Sequence, residues 1–298
     1  MKDKDILLFG GFNWLGYELT KLFIEKDLFS NIIIVDNLKD YLSRDNKLKK
    51  KFDDYAHLYN ENIFMYTINI KDKTELEKIY KTHNIGSVIN NIKFNCSLNE
   101  NERNDLLHGY ANIIKLNDSY SIKKYIYLTR SYTHEKMLFS RNKIDNFLEE
   151  NFIFNESVFL INENKGTLIN IPDYIFGNKC YFSNNFFYKL ANIIKIKSPL
   201  YIPQSSTFCL CDNLLLMLIF ESLFTNIDDK CVNEAINQNI SGPHRYIDIF
   251  SYFDLTSSNI RTVIDKNDKK THSEIIPQDI SDDSLFGKYL QSLNSLLS

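Results

Sequence analysis

The sequence predicts an α/β protein: a doubly wound parallel sheet over residues 1–171, followed by a smaller C-terminal α/β lobe that is mainly 172–298. Three observations predict it. An apolar strand runs into a glycine turn and a helix at the start of the chain, a second strand ends in an acid, and strand and helix patterns then alternate up to a break at Pro172. Such alternation builds a parallel sheet with right-handed crossovers.

Ile6 to Phe9 is a continuous apolar run, as expected of a strand covered on both faces. Gly10 and Gly11 turn the chain, and the next segment carries Leu15, Leu19, Leu22 and Phe23 at the spacing of one helical face. Asp36 closes the second strand, 20 residues beyond Gly16. This order matches a dinucleotide-binding unit, in which the first amides of the helix face a pyrophosphate and the carboxylate accepts from the ribose hydroxyls. The same carboxylate repels a 2′-phosphate, so NAD is favoured over NADP. Expected cofactor contacts are Gly10, Gly11, Asn13, Trp14, Leu15, Gly16, Asp36 and Asn37. Asn13 departs from the pattern because it stands where a glycine lets phosphates approach the backbone, and its side chain is expected to weaken NAD binding. Asn tolerates positive φ, so the turn itself is expected to form. The plainer reading is an ordinary βαβ unit with an acid at that distance by chance.

Asn37 to Asn62 is a charged insertion with some helix, and its run of Lys49, Lys50 and Lys51 before Asp53 and Asp54 reads as a solvated face. Ile63 to Ile70 resumes as a strand, Thr74 to Tyr80 as a short helix and Ser87 to Asn90 as a strand. A helix from about Asn104 to Tyr120 leads to the strand Lys124 to Thr129. Met137, Phe139, Ile144, Phe147 and Leu148 mark another helix, and Leu168 to Ile171 completes the strands before Pro172. Beyond it, Phe186 to Ile196 reads as helix, Pro199 to Ile202 and Thr207 to Leu210 as short strands, and Asp212 to Phe224 as a helix capped by Asp212. Ile240 to Pro243 reads as a turn into a helix at Tyr246 to Phe253, and Asp283 to Leu297 as a last helix. Some segments of this half are expected to return to the first domain.

The 298 residues, 44% hydrophobic, suffice for a substantial core, and the net charge of −3 gives no basic excess to attract nucleic acid. The longest apolar run, Leu214 to Phe220, falls well short of the roughly 20 residues of a membrane span, so no membrane association is expected. Met1 to Asp5 lead straight into a strand without room for a signal peptide, and the expected compartment is the cytoplasm. Cys96, Cys180, Cys209, Cys211 and Cys231 are a scattered, odd set that fits reduced thiols. Cys209 and Cys211 share one face of a strand, yet no nearby His or third Cys completes a zinc set, and no metal is expected.

Several segments have counterparts in one known family. They are Gly10 to Gly16, Ile34 to Asn37, Asn69-Ile70, Val88 to Asn91, Tyr127 to Thr129, Ile171 to Gly177, and Pro199 to Pro203 with Phe208 to Asp212. Over nearly the whole chain they resemble the extended short-chain dehydrogenase/reductases, the NAD(P)-dependent epimerase/dehydratase family acting on nucleotide-sugars. In order, they resemble its glycine turn, its acid-ended strand, its adenine-touching Asp-hydrophobic pair and its Asn-Ala-Ala strand. The remainder resemble the strand to its catalytic Ser/Thr, its Arg-Pro-x-x-x-Tyr-Gly turn and the segment over the sugar nucleotide. The compact C-terminal half is also similar to the deoxysugar 4-reductase branch. The resemblance implies a Rossmann-like fold, NAD contacts that include Asn69 and Ile70, and a nucleotide-sugar ligand. It also implies a homodimer, or a heterodimer with a related protein, through the helices at about 104–120 and 137–150.

In that family a Tyr, its pKa lowered by a Lys four residues on, moves a proton while nicotinamide moves the hydride, and a Ser/Thr holds the substrate oxygen. Here the matching helix has Met137 at the tyrosine and Arg141 at the lysine, with Ser140 between them. Arg130 stands at the Ser/Thr, flanked by Thr129 and Ser131, and Asn91 and Ile92 replace small residues beside the cofactor. The resemblance thus implies a pseudoenzyme, or a regulatory or scaffolding subunit, and no catalytic residue is assigned. The alternative is an active sugar-nucleotide oxidoreductase (an epimerase, dehydratase or 4-reductase) using Tyr132 and Lys136, which keep the four-residue spacing. Among 18 tyrosines such spacings also arise by chance, as Tyr17/Lys21 and Tyr120/Lys124 do. Tyr132 also precedes Met137 by a helical rotation of about 140°. Arg245 is a candidate for a diphosphate or else a surface arginine. Phe186, Phe187, Leu190 and Ile194 read as core or subunit interface rather than a base-stacking platform.

Overall fold

The computed structural model describes residues 4–38, 62–92, 100–130, 167–171, 174–176, 200–203, 207–225, 241–245, 260–263 and 291. The insertion at 39–61 and the helices expected at 137–150, 186–196, 246–253 and, apart from 291, 283–297 lie outside these residues. Two compact units are distinguished: 1–129 with 152–170 and 219–233, and 130–151 with 171–218 and 234–298.

Six strands form the main sheet: β1 (Asp5–Phe9), β2 (Ile32–Asp36), β3 (Ile63–Thr67), β4 (Ile85–Asn90), β5 (Lys124–Arg130) and β6 (Thr167–Ile171). Their order is β3-β2-β1-β4-β5-β6, and the β2–β3, β1–β2, β1–β4 and β4–β5 pairings are parallel. The chain therefore winds outward from β1 to β3, then reverses and starts again at β4. The junction of β1 and β4 is the topological switch point, where a doubly wound sheet opens a crevice for a ligand.

The described helices of this unit include α1 (Trp14–Glu25), α2 (Lys73–Thr82) and α3 (Glu100–Ser119). Leu7, Phe9, Ile33, Val35, Val88, Tyr125 and Tyr127 cover one face of the sheet, together with Leu76, Ile79 and Tyr80 of α2 and Tyr110, Ile113, Ile114 and Leu116 of α3. The two-residue period of a strand sends Ile6, Leu8, Ile34, Ile89 and Ile126 to the opposite face, and all five are buried. The turn before α1 lies on that face, since a Cβ on Gly11 would sit 2.5 Å from Ile34 Cγ2. Leu15, Leu19, Leu22 and Phe23 of α1 are buried, as their spacing predicts. Each such side chain stabilises the fold by about 1.5–3 kcal/mol. Phe23, Phe29 and Phe224 meet one another in three edge-to-face contacts of 5.2 to 5.5 Å. Phe224 belongs to α4 (Asn213–Thr225), which spans nearly the range read from the sequence.

Element limits shift by a few residues where backbone bonding decides them. β3 stops at Thr67, short of the expected Ile70, because the chain bends into a turn with Asp72 N–H donating to Asn69 O. Asp72 then caps α2 by accepting from Glu75 N at 3.1 Å. α3 begins at Glu100, ahead of the expected Asn104.

The second unit contains β7 (Tyr174–Phe176), β8 (Leu200–Pro203), β9 (Thr207–Asp212), β10 (Ser241–Arg245) and β11 (Ile260–Val263). They form a three-stranded sheet in the order β10-β9-β7 and the parallel pair β11-β8. The turn expected at Ile240 to Pro243 is a correction, because Ser241 onward pairs antiparallel with β9. The register shifts between Ser241 and His244, which places Pro243 at an irregularity, a position where strands tolerate proline. β7 and β11 went unread because a three- or four-residue strand has too little alternation to stand out before its distant partner is known.

Candidate dinucleotide site

The turn after β1 packs so tightly that its glycines are required sterically. Gly10 has φ +67°, and a Cβ there would meet Asn91 O at 2.7 Å and Ile92 Cα at 2.9 Å. A Cβ on Gly16 would meet Gly11 O at 2.2 Å. Only Gly10 uses the left-handed region in this turn; Asn13, with φ −112° and ψ 174°, is extended. The tolerance of Asn for positive φ is therefore not what lets it stand there.

Asn13 is instead the N-cap of α1. Its Oδ1 accepts from Gly16 N at 3.0 Å, and its Nδ2 donates to Gly10 O at 2.6 Å and Asn91 O at 3.3 Å. Asn91, only 2% exposed, donates from its own Nδ2 to Asn13 Oδ1 at 2.9 Å and Gly10 O at 3.2 Å. Sequence comparison with the small residues of the family singled out Asn91, but not its pairing with a residue 78 positions away. Ile92, the other replacement, packs against the core.

Asp36 ends β2 with its carboxylate turned toward the same turn: Oδ2 accepts from Phe12 N at 3.1 Å and Oδ1 from Leu38 N at 3.0 Å. These two bonds orient the carboxylate toward the turn. Leu38 is buried with φ +52°, a conformation that costs a non-glycine residue of order 1–2 kcal/mol. Its N–H reaches Asp36 in that conformation, so strain there helps to aim the acid. Asn37 between them is exposed.

The other expected contacts are spread differently. Trp14 is the first residue of α1, and Leu15 is fully buried in the core. Asn69 accepts from Lys71 N at 3.1 Å on the surface, while Ile70 is buried against Gly109 of α3, whose added Cβ would meet Ile70 Cγ1 at 2.3 Å. Asn112 Nδ2 holds Ile70 O at 3.3 Å and Lys71 O at 3.1 Å. Thr129 and Arg130 end β5. Ser131, Tyr132, Lys136, Met137, Ser140, Arg141 and the Phe186 stripe lie outside the described residues, and Arg245 is the last residue of β10.

At the amino ends of the strands, a cavity of about 420 Å³ is lined by Lys4, Tyr80, His83, Tyr120, Lys123 and Lys124 among others. His83 Nε2 lies 2.8 Å from Tyr66 Oη and its Nδ1 3.9 Å from Asp5 Oδ2. Burial lowers the His83 pKa, and the Asp5 carboxylate opposes that shift. Among the described residues no group of three or more His, Cys, Asp or Glu could hold a metal, and no helix is long and apolar enough to cross a membrane.

No protein-family model matches the chain, and no curated protein matches it in sequence. Solved structures match it in fold. UDP-glucuronic acid 4-epimerase from Bacillus cereus, in complex with UDP-glucuronic acid and NAD, is 11% identical with a TM-score of 0.61, over 87% of this chain and 86% of the other. dTDP-glucose 4,6-dehydratase from Bacillus anthracis, in complex with NAD, is 12% identical with a TM-score of 0.57, over 88% and 85%. UDP-glucose 4-epimerase from Thermotoga maritima, with UDP-glucose, is 14% identical with a TM-score of 0.53, over 80% and 84%. With the strand order above, these likenesses show that the chain has a Rossmann-like fold.

Proposed function

We propose that this chain is a divergent NAD-binding relative of the nucleotide-sugar epimerases, dehydratases and reductases that has lost its Tyr-Lys pair and serves as a pseudoenzyme or as a regulatory or scaffolding subunit. The observation that carries the cofactor half is Asp36, held by the Phe12 and Leu38 amides at the carboxyl end of β2, where an adenosine ribose would lie. Gly10, Gly11 and Gly16 keep the turn close to the sheet, and Asn13 weakens the phosphate contact. Met137 and Arg141 at the positions of the family's Tyr and Lys support the loss of proton transfer. Bound nicotinamide cofactor would supply hydride chemistry, and this chain's part would be to orient its ribose and adenine through Asp36, Asn37, Asn69 and Ile70. NAD and UDP-glucuronic acid in the Bacillus cereus enzyme support NAD as cofactor and a nucleotide-sugar as ligand. In this reading 1–171 is the dinucleotide domain and 172–298 mainly the substrate lobe, and the protein is a cytoplasmic homodimer or the partner of a related chain.

Thermal melting with and without NAD(H), NADP(H), UDP-sugars and dTDP-sugars tests the proposal, because a ligand bound only by the folded state raises Tm. NAD(H) is expected to raise Tm more than NADP(H), and Asp36→Ala to abolish that rise relative to its own ligand-free melt. No rise at millimolar cofactor would leave a cofactor-free interaction protein. The second reading, an active oxidoreductase, is favoured by the spacing of Tyr132 and Lys136 just after β5. It requires turnover of a sugar nucleotide that Tyr132→Phe removes.

A further inference from the structure

The crevice between the ends of β1 and β4 is bridged from within. Asn13 uses its whole bonding capacity inside the protein: both hydrogens of Nδ2 go to Gly10 O and Asn91 O, and both lone pairs of Oδ1 to Gly16 N and Asn91 Nδ2. Asn91 adds a second donor to Gly10 O. Its backbone is also tied to β1, with Asn91 N donating to Phe9 O at 3.0 Å. The amino end of α1 is where backbone donors would meet a phosphate, and there Gly16 N–H already has an acceptor from its own chain. A phosphate oxygen can take that donor only by displacing Asn13 Oδ1. Once displaced, the Asn13 side chain also loses its place between Gly10 and Asn91.

We propose that Asn13 and Asn91 form an amide latch across the switch point that competes with the pyrophosphate of a dinucleotide. The proposal rests on the reading of Asp36 as a ribose-binding acid. At the Asp36 end, the carboxylate is oriented by Phe12 N and Leu38 N. The latch therefore selects by ligand class: adenosine carries no phosphate to compete for the Gly16 N–H, whereas NAD must open the latch to seat its two phosphates. The latch also keeps the glycine turn folded without a cofactor, since it replaces phosphate contacts with bonds inside the chain.

Calorimetric titration of the full chain with adenosine and with NAD, for wild type, Asn13→Gly, Asn91→Ala and Asp36→Ala, tests this. Glycine adopts the extended backbone of position 13 freely, so Asn13→Gly removes the side chain without demanding a new turn. Asn91→Ala keeps the Gly16 cap and the Asn13 Nδ2 bond to the backbone O of residue 91 while removing the Asn91 side-chain bonds to Asn13 Oδ1 and Gly10 O, which guards against a folding defect in the first variant. Asn13→Gly is expected to tighten NAD by about tenfold or more, equivalent to about 1.4 kcal/mol, and to change adenosine less than about threefold. Asn91→Ala should show a smaller gain of the same sign. In the absence of ligand both variants should melt below wild type. Tight NAD binding by wild type that Asn13→Gly fails to improve, with Asp36→Ala abolishing it, would overturn the latch and leave the cofactor reading standing. Equal gains for adenosine and NAD would also overturn the latch. Binding of neither ligand by wild type or by either latch variant would reject the cofactor reading itself, and the latch with it.

Discussion

Gly16→Ala separates two reasons for a glycine at the start of α1, close packing within the protein and approach of a ligand. A Cβ at position 16 would lie 2.2 Å from Gly11 O and 2.6 Å from both Gly11 C and Gly11 Cα. These are backbone atoms, and the turn that carries them is pinned by Gly10 N donating to Val35 O at 2.8 Å. Carbon and carbonyl oxygen ordinarily approach to about 3.3 Å, so the helix start must withdraw by about 1 Å. Overpacking of this kind costs about 1–3 kcal/mol. The withdrawal also strains the Asn13 Oδ1 bond from Gly16 N and the bond from Thr20 Oγ1 to Gly16 O, each worth about 1 kcal/mol. Alanine's better helix propensity offsets about 1 kcal/mol. The expected net loss is about 2–3 kcal/mol, a fall in Tm of roughly 5–10 °C. Circular-dichroism melts and urea titrations without ligand measure it. Gly86→Ala is the comparison: its Cβ would meet side-chain carbons of exposed Lys4, the nearest at 2.7 Å, rather than backbone, and should cost less than Gly16→Ala. A Gly16→Ala protein that melts within about 2 °C of wild type would refute the packing account.

Four further outcomes are expected. Asn13→Ala should lower unfolding free energy in urea by about 1 kcal/mol, the usual cost of losing an N-cap. Burial holds the His83 pKa below its ordinary 6.5, so its contribution is fully present above that pH and is lost as pH falls through the folded-state value. Stability measured against pH should therefore decline on acidification below 6.5, and His83→Gln should flatten that decline. Burial pushes the Tyr125 hydroxyl up to about 12 from 10.0, so its contribution persists below pH 10 and is lost between 10 and 12. An ultraviolet titration should show a late-ionising tyrosine that Tyr125→Phe removes. Tyr80 Oη donates to Asn117 Oδ1 at 2.7 Å in the interior, while Asn117 Nδ2 has no partner. Tyr80→Phe should therefore destabilise more than the pair Tyr80→Phe with Asn117→Leu, which leaves no buried amide unsatisfied. Parallel urea melts decide between them.

The first 38 residues were the most legible because their signals are local. Ile6 to Phe9 reads as a covered strand from its own apolarity, the buried face of α1 from the spacing of Leu15, Leu19, Leu22 and Phe23, and the acid from its distance to Gly16. Pro243 misled because a proline after Ser-Gly is a turn signal within its own neighbourhood, whereas a shift in register with β9 makes it acceptable in a strand. Ile70 was legible as an apolar residue at the end of a strand, but its burial against Gly109 depends on a helix nearly forty residues on.

The sequence by itself determined the α/β class, the glycine turn and the acid at the end of β2, since each depends on residue type and short spacing. Only the tertiary structure decided what Asn13 does. Its effect depends on Asn91 across the switch point, and that meeting exists only once β1 and β4 lie side by side in the sheet. Pairing of strands distant in sequence is specified by packing and backbone bonding over the whole unit, which no local pattern encodes.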